Sequence, residues 1–271
     1  MTKPANIERF APFSVYVSHK GTNNGYDFIH KFGDAPDFDT SDGEVTIWDG
    51  ADDGNIDQMT YVYSTTAAID SISSSNAGDD HQIQLQGLDE DYNLVTQNAT
   101  LDGQTRVALT TPLIRIFRMK NNGFTDLAGY VYVYENTAIT AGVPNDTTKV
   151  RAIIQPGYNQ TLMALYTVPA GKYAYMRDFY ASTAGASKDS SYIIRFYARE
   201  YDTVTSQHKA FQLKNVNSIT DGGNTYLKQD YTEPERFKPM TDLEMRVEMT
   251  AGGASSAAIS GGFNLLLIDV L

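Results

Sequence analysis

Short runs of alternating apolar and polar residues constrain the fold of this chain more than any other feature. In residues 243–249 every second residue is apolar, so the apolar set predicts a core-facing side and the charged set, Glu244 among it, a solvent-facing side. Residues 83–86 alternate in the same way. This period of two is typical of half-buried β-strands.

Turn signals separate these runs. The dipeptides Asp102-Gly103 and Asn122-Gly123 favour tight hairpins, and residues 168–172 combine a proline with a glycine in a turn pattern. No segment shows a helical period with capping residues. The sequence therefore predicts an all-β chain with two β-sandwich or jelly-roll-like domains behind a loop-rich N-terminal arm.

A loop-rich stretch at residues 136–159 suggests the domain division, because strand-rich sequence lies on both sides of it. We expect an N-terminal arm and acidic loop segment at residues 1–58 that packs on the first sandwich. The first sandwich then covers residues 59–145, and a jelly-roll-like second sandwich covers residues 146–271.

Composition limits the partners. The 271 residues include 33 acidic and 21 basic side chains, a formal net charge of -12, which repels phosphate backbones and anionic lipid. We therefore expect neither nucleic acid nor membrane as a partner. Cysteine is absent, which excludes disulfides, thiolate nucleophiles and cysteine-based zinc sites.

The sequence contains no recognisable catalytic or cofactor-binding motif. The four histidines, His19, His30, His81 and His208, do not stand at metal-ligand spacing. No phosphate-binding loop, dinucleotide fingerprint or nucleophile elbow lies in a strand–turn–helix setting. We expect a protein that is not an enzyme and carries no cofactor.

An acidic loop holds the best candidate for a metal site. Asp37, Asp39 and Asp42 lie close together, but Gly43 comes one residue late for an EF-hand. Two interpretations stay open: a calcium loop of another type, or side-chain-to-backbone turns in a solvated loop.

Trp48, the single tryptophan, is a candidate for glycan recognition together with Asp49 and Asp52, because sugar sites on β-sandwiches combine aromatic rings with nearby carboxylates. The alternative is that Trp48 packs the loop onto a sheet.

Tyrosines mark candidate interfaces. Residues 130–134 read Tyr-Val-Tyr-Val-Tyr, so neither face of this strand is charged, and it is either covered on both sides or meets a partner through its tyrosines. The candidate interface residues are Tyr130, Tyr132, Tyr134, Tyr173 and Tyr175, with packing inside the chain as the alternative.

Several ordered blocks of the sequence resemble one protein group. Residues 33–50 contain Gly-Asp-Ala-Pro-Asp-Phe-Asp-Thr followed by Val-Thr-Ile-Trp-Asp-Gly, and residues 83–89 and 99–105 contain Gln-Gly-Leu-Asp and Thr-Leu-Asp-Gly-Gln-Thr. Residues 160–172 and 261–269 add Thr-Leu-Met-Ala-Leu-Tyr-Thr-Val-Pro-Ala-Gly-Lys and Gly-Gly-Phe-Asn-Leu-Leu-Leu-Ile-Asp. These blocks are similar to patterns in structural proteins of tailed bacteriophages, many of them marine. The group usually has Asn where this chain has Asp102, and both suit a tight turn before Gly.

The resemblance covers residue 33 to the end of the chain and implies a virion protein made in the bacterial host cytoplasm. It favours an accessory (decoration or cement) component of the capsid, with copies of itself, for example in a trimer, and the major capsid protein as partners. The alternative is a tail or fibre protein that binds host-surface glycan. The resemblance implies no catalytic or binding residue.

Overall fold

A computed structural model describes residues 26–51, 56–184, 190–220, 225–252 and 257–270. Within these ranges the chain is all-β, as the sequence predicts, with antiparallel sheets, no α-helix and one 3-10 turn at Thr147–Lys149. No helix in this part of the chain is long and apolar enough to cross a membrane.

Twenty strands follow one another within the described ranges. They are β1 (Tyr26–Phe38), β2 (Glu44–Thr46), β3 (Ile69–Ser74), β4 (Gln82–Leu88), β5 (Leu94–Thr100), β6 (Val107–Leu113), β7 (Arg115–Asn121), β8 (Val131–Glu135), β9 (Ile139–Thr140), β10 (Val143–Pro144), β11 (Val150–Ile154), β12 (Leu165–Thr167), β13 (Lys172–Ala184), β14 (Ser191–Arg199), β15 (Tyr201–Asp202), β16 (Gln207–His208), β17 (Gln212–Thr220), β18 (Thr225–Phe237), β19 (Asp242–Ala251) and β20 (Ala257–Asp269).

Strands from both ends of the sequence build one sandwich. Its first sheet has the order β1-β20-β13-β18, and its second the order β12-β19-β14-β17 with β2 also paired to β19. The antiparallel pairs β1–β20, β2–β19, β13–β18 and β14–β17 are nested along the chain. This nesting is that of a long hairpin rolled up into two sheets, which is a jelly roll. We call this unit the jelly-roll sandwich.

Strands β2 and β12 occupy one strand position. Thr46 lies opposite Arg246 and Leu165 opposite Glu244, so the two short strands follow one another along β19 in the same direction. Between them, Ile47 N donates to the Met245 carbonyl oxygen at 3.1 Å and Met245 N donates to the Ala164 carbonyl oxygen at 3.1 Å. The chain thus leaves the sheet after β2, returns at β12, and carries residues 47–164 as an insertion in a single strand.

The insertion holds a second sandwich, which we call the inserted sandwich. Its sheets have the orders β11-β8-β3-β6 and β5-β4-β7, and buried side chains such as Ile72, Leu85 and Val133 fill it. Two ribbons, β9–β10 and β15–β16, lie outside the main sheets.

The strand pairing differs from the domain division suggested by the sequence. The described part of residues 1–58 does not form an arm on the first sandwich, because β1 and β2 pair with β20 and β19 of the jelly-roll sandwich. Beyond the expected division at residue 145, β11 still pairs with β8. Pairing between strands far apart in sequence is decided by matching faces and registers, which a local pattern does not contain.

The alternation in β19 correctly predicts which side chains lie in the core. Leu243, Met245 and Val247 are fully buried and Met249 is 3% exposed. The prediction for Glu244 is wrong, because this carboxylate is also fully buried. It accepts hydrogen bonds from Thr46 Oγ1, Tyr63 OH and Arg246 Nε, so it is buried with its charge and its hydrogen bonds satisfied.

Candidate functional site

The tyrosines of β8 are core residues. Tyr132 and Tyr134 are fully buried, and Tyr134 OH accepts a hydrogen bond from Ser73 Oγ at 3.1 Å. Their assignment as interface candidates is therefore corrected, because the chain itself covers both faces of this strand. Tyr130 is half-buried, and its ring stacks on that of Tyr132 with centroids 6.2 Å apart.

Tyr173 and Tyr175 lie on the outer surface of sheet β1-β20-β13-β18. Both are half-buried, and the guanidinium of Arg236 stands 4.9 Å from the Tyr173 ring centroid. The register places further aromatic side chains on the same side of the sheet, which we call the outer face. Its aromatic members are Phe28, His30, Phe32, Tyr173, Tyr175, Tyr180 and Tyr226.

Strand alternation sets up the outer face. Residues 29, 31, 33 and 35 of β1 point inward, which leaves Phe28, His30 and Phe32 outward, and Phe28 is 48% exposed. His30 Nε2 and Tyr180 OH are hydrogen-bonded at 2.8 Å across the strand between them. Tyr180 lies over Gly262, where an added Cβ would come within 2.7 Å of the tyrosine oxygen. The Tyr180 ring therefore lies close to the backbone of β20.

The acidic loop closes on itself. Asp42 Oδ2 accepts from the Asp39 amide at 2.6 Å, and Asp39 Oδ1 accepts from the amide and hydroxyl of Ser41 at 2.6 Å each. These hydrogen bonds from Ser41 lower the pKa of Asp39. Asp37 is exposed beside this turn. The structure does not bring Asp37, Asp39 and Asp42 together as ligands, and no set of three or more His, Asp or Glu side chains in the described ranges could hold a metal ion.

Trp48 packs inside the protein. Its side chain is fully buried, Nε1 donates to the Gln58 carbonyl oxygen at 3.0 Å, and its ring meets Tyr61 edge-on at 5.0 Å. Asp49 is also buried and accepts from the Leu162 amide at 2.7 Å. The glycan site expected at these two residues is therefore corrected, because neither presents a surface to a sugar. Asp52 lies outside the described residues.

A polar cleft of about 660 Å³ lies between the two sandwiches. The inserted sandwich and the loop before β3 supply one wall, and the end of β14 with the β15–β16 ribbon supplies the other. The residues that line it are Tyr63, Ser64, Thr65, Thr66, Glu90, Tyr92, Ile114, Arg115, Arg199, Tyr201, Ser206, Gln207 and His208.

A turn in the β15–β16 ribbon brings His208 to the cleft. Asp202 Oδ1 accepts from the amides of Val204 and Thr205, and Ser206 adopts a positive φ of 55°. An aspartate that bonds to the backbone two residues on is typical of a tight turn. The turn pairs Tyr201 with His208, whose rings are 5.1 Å apart.

Arg115 lines the cleft, and Asp242 lies beneath it, fully buried. The guanidinium of Arg115, at the start of β7, donates from Nε and Nη2 to the two carboxylate oxygens of Asp242, at the start of β19, at 2.9 and 3.0 Å. Burial alone raises the pKa of Asp242, but the guanidinium of Arg115 outweighs this effect, and Arg199 adds to it, so the pKa lies well below its usual range. Asp242 is therefore charged at neutral pH.

His208 is held as a neutral imidazole. Nε2 lies 2.9 Å from the Met240 carbonyl oxygen, which can only accept, so this nitrogen carries the proton. Nδ1 then faces Arg115 Nη2 at 3.4 Å as an acceptor. Burial lowers the pKa of His208, although Asp242 opposes this shift. Both ring nitrogens of His208 are hydrogen-bonded, so the imidazole is poorly placed to act as a general base. The cleft is suited to binding a polar ligand.

No sequence motif predicts a site formed by Arg115, Arg199, His208 and Asp242. A signal was present for Arg115, which interrupts the apolar run 113–117 with a charge on a strand that must be buried on at least one side. The partner Asp242 follows 127 positions later, and nothing local connects the two.

No protein-family model and no curated protein matches the chain. Among solved structures, that of infectious bursal disease virus Gx strain is similar at 10% identity and a TM-score of 0.25, over 90% of this chain and 73% of that chain. The crystal structure of the infectious bursal disease virus VP2 subviral particle is similar at 7% identity and a TM-score of 0.25, over 90% and 72%. At these TM-scores the likeness decides neither fold nor function.

Proposed function

We propose that this chain is a non-enzymatic structural protein of a tailed-bacteriophage virion, made in the bacterial host cytoplasm. Its finer role is that of an accessory, decoration or cement component of the capsid. It acts by contact with further copies of itself, for example in a trimer, and with the major capsid protein.

The outer face carries this proposal. It presents seven aromatic side chains on one side of a four-stranded sheet, among them Phe28 at 48% and Tyr226 at 63% exposure. Interface centres are enriched in tyrosine and phenylalanine and depleted of charge. The register places Lys228 and Asp230 on the same side of the sheet, and their side chains pair with each other at 2.6 Å.

The sequence blocks and the architecture support the same proposal. The ordered blocks from residue 33 onward resemble structural proteins of tailed phages. Jelly rolls serve as capsid and as lectin domains, so this fold agrees with a capsid role without requiring it.

Immunolabelling of virions tests the location. Purified particles of the phage that encodes the chain are labelled with a specific antibody and viewed by negative-stain electron microscopy, with pre-immune serum as the control. Labelling over the whole head supports the accessory capsid role. Labelling of the tail tip sinks that role, and particles without label exclude a virion protein.

A tail or fibre protein that binds host-surface glycan is the second candidate. One observation favours it: the cleft between the sandwiches places three tyrosine side chains, Tyr63, Tyr92 and Tyr201, around charged and polar groups. Aromatic walls with a few well-placed polar groups are typical of small-ligand sites.

A further inference from the structure

The cleft between the two sandwiches contains an arginine whose hydrogen bonds are incomplete. Arg199 donates from Nε to Asp242 Oδ2 at 2.8 Å. Neither of its two Nη atoms has a hydrogen-bond partner within the described part of the chain, and the side chain is 19% exposed where it lines the cleft.

Two aromatic rings hold this guanidinium in place. The Arg199 Cζ atom stands 4.3 Å from the ring centroid of Tyr63 and 4.6 Å from that of Phe211. With two aromatic rings beside its guanidinium and its Nε bound to Asp242, the side chain has its far edge, formed by Nη1 and Nη2, available. That edge matches the two oxygens of a carboxylate.

The charges at the cleft leave room for one anion. Arg115 and Arg199 carry two positive charges against the single negative charge of Asp242, and His208 is neutral. Glu90 is the acidic side chain at the exposed rim. A ligand carboxylate at Arg199 would therefore be attracted by the two guanidinium groups and repelled by the carboxylate of Glu90.

The walls offer surfaces for a ring. The side chains of Tyr92 and Tyr201 approach within 5.4 Å, centroid to centroid, and Gln207 and Ser206 add hydrogen-bonding groups at the mouth. The volume of about 660 Å³ lies within the range of about 300–1,000 Å³ of small-ligand pockets. Sugars join both features, since their C–H faces pack on aromatic rings and their hydroxyls bond to polar groups.

We propose that this cleft binds a saccharide that bears a carboxylate, with the carboxylate on the Nη edge of Arg199 and the sugar ring against Tyr92 and Tyr201. The inference rests on the glycan-binding candidate function and names its ligand class. Ligand binding is measured on the purified chain. Absence of binding therefore does not bear on where the chain lies in the particle, and a location on the head does not bear on whether the cleft binds this ligand.

Isothermal titration calorimetry of the full chain with methyl β-glucuronide tests the proposal, and methyl β-glucoside is the matched neutral probe. We expect saturable binding of the glucuronide and about tenfold weaker binding of the glucoside, the effect of losing one charge-assisted hydrogen-bond pair. Saturable binding of both sugars with equal affinity overturns the acidic class, and no binding of the glucuronide at millimolar concentrations overturns the site.

Two variants locate the carboxylate. Arg199→Lys keeps the charge but loses the planar fork, and should weaken glucuronide binding about tenfold while leaving the glucoside unchanged. Glu90→Gln removes the rim charge and should strengthen glucuronide binding about threefold, whereas Glu233→Gln, an exposed carboxylate on β18, should change nothing. Glu90 is exposed, so its variant keeps the fold even where Arg199→Lys does not; unchanged glucuronide binding in Glu90→Gln contradicts the proposed pose.

Discussion

Arg115 of the inserted sandwich and Asp242 of the jelly-roll sandwich are joined by two parallel hydrogen bonds of 2.9 and 3.0 Å. Both side chains are almost completely buried, at 3% and 0% exposure. Two further donors, Arg199 Nε and Thr167 Oγ1, complete the shell of the carboxylate at 2.8 and 2.5 Å. The pair thus ties the two sandwiches together at the bottom of the cleft.

Removal of one member of this pair should be severe. We expect Asp242→Asn or Arg115→Met to lower the free energy of unfolding by about 3–5 kcal/mol, because each leaves a buried charge without the partner that forms two parallel hydrogen bonds with it. Urea unfolding followed by tryptophan fluorescence at neutral pH measures the effect, since Trp48 is the single tryptophan and is buried.

The exposed pair Lys228–Asp230 provides the control. Its side chains are 43% and 69% exposed, so Asp230→Asn should cost at most about 1 kcal/mol. The double variant Arg115→Met/Asp242→Asn should cost clearly less than the sum of its parts. Additive single costs would mean that the two side chains contribute independently and that the tie does not exist.

Stability should fall below neutral pH because of His208. Burial lowers the pKa of this imidazole below its unfolded value of 6.5. As the pH falls below 6.5, the unfolded chain therefore binds a proton at His208 more readily than the folded chain does. Stability is therefore full above pH 6.5 and decreases as the pH falls below it. Urea midpoints at pH 7.5 and 5.5 should differ more for the native chain than for His208→Gln, whose amide can still donate to Met240 O and accept from Arg115.

His30 supplies a comparison, because burial lowers its pKa as well. The variant His30→Gln should remove its own share of the pH dependence and leave that of His208 in place. An identical pH dependence in the native chain and in His208→Gln contradicts the assignment of the neutral tautomer.

Lys31 should be a destabilising residue at neutral pH. Its amino group is buried and donates to the Phe117 carbonyl oxygen, and burial, with the nearby charge of Arg118, lowers its pKa to about 7. Since the unfolded pKa is 10.5, stability rises with pH between about 7 and 10.5. We expect Lys31→Met to raise the free energy of unfolding at pH 7 by about 2 kcal/mol.

Urea unfolding at pH 7, 8 and 9 measures this effect, and the variant should lose part of the rise with pH. Lys120→Met, an exposed lysine on β7, is the matched control and should leave both the stability and its pH dependence unchanged. A Lys31→Met chain less stable than the native chain at pH 7 would show that the amine contributes more through its hydrogen bond than burial costs.

The two groups of tyrosines should separate assembly from folding. Tyr175→Ser on the outer face should weaken self-association and leave the unfolding free energy within about 1 kcal/mol, because the side chain is half-buried. Tyr132→Ala in the core should lower that free energy by about 3–5 kcal/mol. Sedimentation velocity measures the first effect and urea unfolding the second. Unchanged self-association in a Tyr173→Ser/Tyr175→Ser chain counts against the outer face as an interface.

Local sequence patterns predicted the class of fold but not which strands pair with each other. Alternation identified Leu243, Met245 and Val247 as core, because strand geometry fixes which side chains share a face. The same rule failed at Glu244, since a partner from another strand can satisfy a buried carboxylate. The pairing of β2 with β19 was not predictable, because three residues carry too little pattern to choose a partner about 200 positions away.

The candidate sites illustrate the same limit. Trp48 and Tyr132 have the residue types of binding surfaces, and only the packing around them shows that both are core. Tyr175 has a similar local sequence and lies on a surface. The cleft residues Arg115 and His208 come from separate sandwiches, so their proximity is a property of the tertiary structure.

The split strand position has a consequence for the order in which the protein forms. Every strand of the inserted sandwich has been synthesised by residue 154, whereas β1 must wait for its partner β20 at residues 257–269. Sandwich strands that need distant partners pair slowly, because a long loop must close first. The inserted unit should therefore mature on the ribosome while β1 and β2 are still unpaired, and pulsed hydrogen exchange during refolding should protect β3–β8 before β1. Strand β20, which is synthesised after all the other described strands, is then the one that closes the jelly-roll sandwich, so a chain truncated before β20 should retain a folded inserted sandwich attached to an open sheet.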